Sequence, residues 1–143
     1  MFRLGDTQGP RIDVPVQNGR FPSLSLTDIR DVGKFMVAAL EMEEEWGGRE
    51  LGMAGDTLGL VALVDLCEKR LGQTVEVHQI EVSQLDELMQ GLGSEDVLAR
   101  MGYQYARVCA LGGSVVTKPI LNSICPHVRP TSVKEYLERY WTV

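Results

Sequence analysis

The chain has 143 residues, 44% of them hydrophobic and 24% charged, and carries a formal net charge of −6 at pH 7. This length suits one domain that buries about two-thirds of its unfolded surface, and the acidic balance excludes the basic footprint of a nucleic-acid binder or attraction to an anionic membrane. No run approaches the ~18 apolar residues of a membrane span. The opening MFRLGDTQGPRID has no continuous apolar stretch, which excludes a signal peptide and points to a cytoplasmic location. Cys67, Cys109 and Cys125 are odd in number and far apart, without a CxxC, and read as buried thiols rather than a disulfide framework or zinc site.

Residues 1–22 are rich in Gly, Pro, Asn and Arg and form an irregular N-terminal segment. Within it Ile12, Val14 and Val16 alternate as in a strand, but Pro15 confines such a strand to a sheet edge. Leu24 and Leu26 suit a short strand, and Asp31 occupies an N-cap position. Val32, Phe35, Met36, Ala39 and Leu40 follow at helical spacing as a buried stripe. Gly33 costs that helix about 1 kcal/mol against Ala, so a closely packed neighbour is expected there. Glu41 to Glu45 reads as a solvated helix end broken by Gly47-Gly48, because consecutive glutamates point around a helix and do not converge on a cation.

RELGMA, residues 49–54, reads as a second strand. Asp56 or Thr57 then caps a helix over Leu58 to Leu71 with core positions Leu60, Val61, Val64, Cys67 and Leu71, and Gly72 stops it. A third strand spans Thr74 to Ile80, with Val75 and Val77 on one face and His78 on the other. Ser83 starts a helix whose apolar face is Leu85, Leu88, Met89 and Leu92. Ser94 caps a longer helix, about 95 to 111, with Leu98, Met101, Tyr105, Val108 and Cys109 on its core side. Residues 114–130, with three prolines, are irregular. Ser132 caps a terminal helix with Glu135 three residues on, and Val133, Tyr136, Leu137, Tyr140 and Trp141 form its stripe. The expected class is α/β, α-heavy and mixed, with about five helices and two or three short strands.

In this order DIRDVGKFMVAAL, GRELGMAGDTLGLVALVDLCEKRLGQTVEV, a polar helical hairpin and PTSVKEYLERYW resemble the C-terminal half of NmrA-like proteins, in the atypical short-chain dehydrogenase/reductase group. The resemblance runs from about residue 12 to 142 and assigns residues 23–143 to an NmrA-like, substrate-side domain. It implies an oxidoreductase linked to NAD(P). In such proteins the first half holds the coenzyme on a Gly-rich loop between a strand and a helix. No G-x-G-x-x-G or G-x-x-G-x-x-G occurs here, and Gly47-Gly48, Gly91-Leu92-Gly93 and Gly112-Gly113 end helices instead of opening them. The coenzyme therefore requires a nucleotide-binding half supplied beyond these residues, and the chain reads as the substrate-facing part of a longer, or truncated, enzyme.

Family pockets draw on the loops and helical hairpin of this half, so the resemblance brings Met101 into consideration and makes Tyr103, Tyr105, Asn122 and His127 the candidate substrate-binding residues. The spacing Tyr103-x-x-x-Arg107 imitates the Tyr-x-x-x-Lys pair of ordinary short-chain reductases, but arginine stays ionised and cannot shuttle a proton. No catalytic, cofactor-binding or metal-binding residue is assigned. Similarity to fungal secondary-metabolite oxidoreductases of the aflatoxin and sterigmatocystin type implies an aromatic polyketide as the small-molecule substrate. The alternative is a non-catalytic NmrA-like binding or regulatory module, or a decayed fragment, whose exposed apolar seam meets a protein partner or a second copy.

Overall fold

The computed structural model describes residues 2–3, 10–42 and 48–141; the expected glutamate run Glu43 to Glu45 and Gly47 lie outside the described residues. In chain order the elements are β1 (Phe2–Arg3), β2 (Arg11–Val16), β3 (Ser23–Leu26), α1 (Ile29–Leu40), β4 (Asp56–Gly59), α2 (Leu60–Leu71), β5 (Glu76–Glu81), α3 (Val82–Gln90), α4 (Val97–Ala110), α5 (Ile120–Ile124) and α6 (Val133–Tyr140). This is the expected α-heavy α/β class, with six helices among the described residues. The chain divides into two compact units, Met1–Leu24 with Gly59–Ser114, and Ser25–Leu58 with Val115–Val143.

The first unit is built on a three-stranded sheet of order β1-β2-β5. Strands β2 and β5 run parallel, with Ile12 opposite Val77 and Val14 opposite Gln79. Period-two alternation turns Ile12, Val14 and Val16 to one face, where they are buried with Val75 and with Leu60 and Val64 of α2. Strand β2 is therefore interior to the described sheet, which corrects the expectation of an edge. The Pro10 carbonyl accepts from the Glu76 N–H, so the backbone groups of Ile12, Val14 and Val16 face β5 and those of Pro15 face away. On that far side β1 pairs only as far as Ile12, so the missing N–H interrupts no described ladder.

Helix α4 differs from expectation in which face it buries. Arg100 reaches the carbonyls of Met89, Leu92 and Gly93 at the end of α3, and the Arg107 Nε donates to Asp86 at 3.0 Å. These contacts turn the Arg100–Tyr103–Arg107 side toward α3. Leu98, Met101, Tyr105 and Val108, read from the pattern as core, are exposed; Cys109 is buried as expected, together with Ala110. Ser94 does not cap the helix; its hydroxyl bonds Glu95, and Asp96 is the N-cap residue.

In the second unit Asp28, not Asp31, caps α1: its carboxylate accepts from the Arg30 N–H at 2.9 Å. Asp31 is wholly buried in the first turn, so the helix turns Asp31, Phe35 and Ala38 inward and leaves Met36 and Leu40, both expected in the core, exposed. Phe35, Ala38, Leu121 and Cys125 form a small core, with Leu51, Met53 and Val128 packed against it. The expected RELGMA strand is absent, because its backbone bonds to α5: the Leu121 N–H donates to the Gly52 carbonyl, and Asn122 grips both amide groups of Ala54. The strand lies further on, where β4 pairs with β3. Both expected caps of α2 are engaged elsewhere: Asp56 accepts from the Val133 N–H, and Thr57 meets the Ser25 hydroxyl at 2.8 Å. Helix α2 accordingly starts at Leu60, later than expected. The terminal helix α6 carries the expected Ser132–Glu135 capping box.

Candidate functional site

An open cleft of about 480 Å³ lies in the second unit, lined by Gly33, Lys34, Val37, Ala38, Glu41, His127 and Val128. Its volume is in the range of small-molecule sites, which are typically about 300–1,000 Å³. Helix α1 supplies one wall, and the turn after α5 supplies His127 and Val128. That turn is held by the Val128 N–H donating to the Cys125 carbonyl, with Cys125 itself buried in the Phe35 core.

The cleft's one lysine is anchored. Lys34 Nζ lies 2.6 Å from a carboxylate oxygen of Asp31, whose other oxygen accepts from the Thr131 N–H at 2.5 Å. Burial pushes the Asp31 carboxyl upward, but the hydrogen bonds from Lys34 and Thr131 outweigh it and hold the group below the ordinary carboxylate range. Asp31 thus stays ionised and fixes the ammonium, leaving two N–H donors for a ligand or water. Val37, Ala38 and Val128 make the rest of the lining largely apolar. No group of three or more His, Cys, Asp or Glu side chains among the described residues is arranged to hold a metal.

Of the four candidate residues, only His127 lines this cleft, where it is exposed. Asn122 lies on α5, outside the cleft's lining, with both side-chain polar ends bonded to Ala54. Tyr103 and Tyr105 belong to the first unit, on α4, with Tyr103 half-buried and Tyr105 exposed. Met101 is exposed there too. Arg107 pairs with Asp86, so no Tyr103–Arg107 couple forms. Burial raises the Cys67 thiol pKa, leaving it a poor nucleophile. Sequence reasoning missed Lys34 and Asp31 as site residues: the lysine looks like any solvated helix residue, and the aspartate looks like a cap. Their i, i+3 spacing was the one available signal.

A dinucleotide's pyrophosphate needs free backbone N–H groups at a strand-to-helix joint. Three such joints are described, and two of them are filled by carboxylates. The joint into α1 is filled by the Asp28 carboxylate. At the joint into α2 the Leu60 N–H is already bonded to the Pro22 carbonyl at 2.9 Å. The joint into α3 is capped by the Glu81 carboxylate, which also binds the Asn18 and Gly19 N–H groups of the turn after β2. Gly55, just before β4, is small for an internal reason: a Cβ there would meet the Leu26 carbonyl oxygen at 2.7 Å.

No curated protein matches the chain significantly. Among solved structures, an NADPH-dependent quinone oxidoreductase from Escherichia coli is similar with TM-score 0.66 and 17% identity, covering 91% of this chain and 46% of that one. A nucleoside-diphosphate-sugar epimerase from Staphylococcus aureus gives 0.62 and 14%, covering 90% of this chain and 43% of that one. The triphenylmethane reductase of Citrobacter sp., complexed with NADP(H), gives 0.64 and 11%, covering 89% and 44%. The chain thus shares their Rossmann-like α/β fold and spans less than half the length of each. No described helix is long and apolar enough to cross a membrane. Residues 3–137 match the NmrA-like family, and the chain belongs to that family.

Proposed function

We propose that the chain is the substrate-facing portion of an NmrA-like, NAD(P)-linked oxidoreductase, equivalent to the C-terminal half of longer members, and that its cleft receives a small carbonyl compound. The observation that carries this reading is the apolar cleft on α1 with an ammonium anchored at its wall. A donor held by a buried carboxylate suits a neutral carbonyl oxygen better than an anion, because its charge is already matched. An aromatic polyketide of a fungal secondary-metabolite pathway, handled in the cytoplasm, is the substrate class proposed from the resemblance of the α1 and α2 segments. His127 is the proposed direct contact. Asn122 acts through the Ala54 backbone that it holds.

The dinucleotide is proposed to sit on a separate nucleotide-binding half, since the joints into α1 and α3 are filled by carboxylates and no G-x-G-x-x-G occurs in the sequence. A fluorescence titration tests this division. The chain is expected to bind an aromatic ketone but to show no saturable NADPH binding at micromolar concentration; saturation in that range would overturn the division.

A second reading, a non-catalytic binding module, draws support from exposed apolar side chains on α1 (Ile29, Leu40) and on α4 (Leu98, Met101, Tyr105). Sedimentation distinguishes the two: concentration-dependent self-association without ketone binding favours the module.

A further inference from the structure

The sequence pattern calls for a close neighbour at Gly33, but a Cβ built there meets nothing within 4 Å among the described residues. An exposed helical glycine is less favourable than alanine by about 1 kcal/mol, and no packing within the described residues explains it. An unobstructed glycine is not by itself a site, for Gly102 in α4 is equally open. What sets Gly33 apart is the space it opens onto: it lines the cleft, next to the anchored Lys34 and across from the turn carrying His127 and Val128.

We infer that Gly33 determines which ligands the cleft accepts, by leaving a shelf of bare helix backbone on which a flat ring system lies. This rests on the reading of the cleft as a substrate site and deepens it. The ligand class is a planar, uncharged, fused-ring carbonyl compound. Its rings lie over Gly33 and against Val37, Ala38 and Val128, and its carbonyl oxygen accepts from Lys34. An anion fits less well, because Asp31 already matches the ammonium and Glu41 adds a carboxylate to the lining. A side chain at position 33 occupies the shelf, and the penalty grows with the area of the ring system that must lie there.

The test uses the 143-residue chain, two probes and three variants. The probes are the three-ring 1-hydroxyanthraquinone, titrated by absorbance, and the smaller 1-tetralone, followed by protein NMR shifts. Gly33→Ala is expected to melt at the same or a higher temperature than the parent. It should weaken anthraquinone binding by at least about fivefold, the factor implied by a modest steric penalty, while changing tetralone affinity by less than about twofold. Gly33→Leu should abolish anthraquinone binding. Gly102→Ala, the matched change away from the cleft, should gain stability and bind both probes as the parent does. Parental anthraquinone affinity in Gly33→Ala and Gly33→Leu overturns this inference alone. A parent chain that binds neither probe overturns the cleft reading and this inference together.

Discussion

The interior of each unit is held by different chemistry. The first has its core where one face of β2 meets the inner stripe of α2, and its polar ties, such as Arg100 and Arg107 from α4 to α3, lie outside that core. The second has a smaller core around Phe35 and is fastened by buried or half-buried polar groups: Asp31 to Thr131, Asp56 to Val133, and Asn122 to Ala54. Apolar burial is non-directional and tolerates relaxation, whereas a polar anchor fixes orientation and is costly to leave half-made. The cleft lies in the polar-fastened unit, where a shift of α1 would also shift Lys34. In the second unit the directional bonds from Asp31 fix both Lys34 and the chain at Thr131.

That contrast can be broken most forcefully at Phe35. Phe35→Ala should cost about 3–5 kcal/mol, as a fully buried aromatic does, and chemical denaturation should show the loss. The next largest effect is expected at Asp31. Asp31→Asn should cost about 2–3 kcal/mol at pH 7, since it weakens charge-assisted bonds to Lys34 and to the Thr131 N–H. The Asp31 carboxyl titrates below its unfolded value near 3.9, so its contribution is fully present above that pH and disappears as pH falls through the lower folded value. The gap between parent and variant, followed by denaturation from pH 7 to pH 2.5, should therefore narrow on the acid side. A gap independent of pH would remove Asp31 as an ionised anchor. Asn122→Ala should cost about 1–2 kcal/mol for two lost hydrogen bonds and weaken ketone binding as α5 loosens from Ala54. The smallest expected effect is Gly102→Ala, a gain of up to about 1 kcal/mol in the melting transition, which leaves the second unit's acid sensitivity unchanged.

Legibility followed the same divide. The alternation of Ile12, Val14 and Val16 was readable, and so were Leu60, Val64 and Cys67 of the inner stripe, because burial against an apolar face writes itself as periodicity; Val61, read with that stripe, is exposed. The Ser132–Glu135 box was readable because capping is local in sequence. The second unit was poorly legible for a physical reason: its decisive bonds join distant residues. Asp31 has a good capping residue's identity yet bonds Thr131, 100 positions away, and Asp56 bonds Val133, 77 positions away. Neither partner leaves a mark near the aspartate. Helix α5 went unread because it is five residues long and follows Pro119 in a segment dense with turn formers. Of the cleft's lining, His127 was singled out from its loop setting and the family resemblance, while Lys34 and Gly33 were hidden in an ordinary-looking helix. Their importance comes only from the opposing turn.

The bond from Thr131 to Asp31 also bears on how the protein is made. A ribosome releases α1 long before residue 131, so the aspartate must stay hydrated and its helix only loosely held while about a hundred further residues emerge. The strands and helices that complete the sheet around β2 are all present once residue 114 is out. Vectorial synthesis therefore favours early maturation of the sheet unit, and the cleft's lining is complete only once the turn carrying His127 and Val128 clears the exit tunnel.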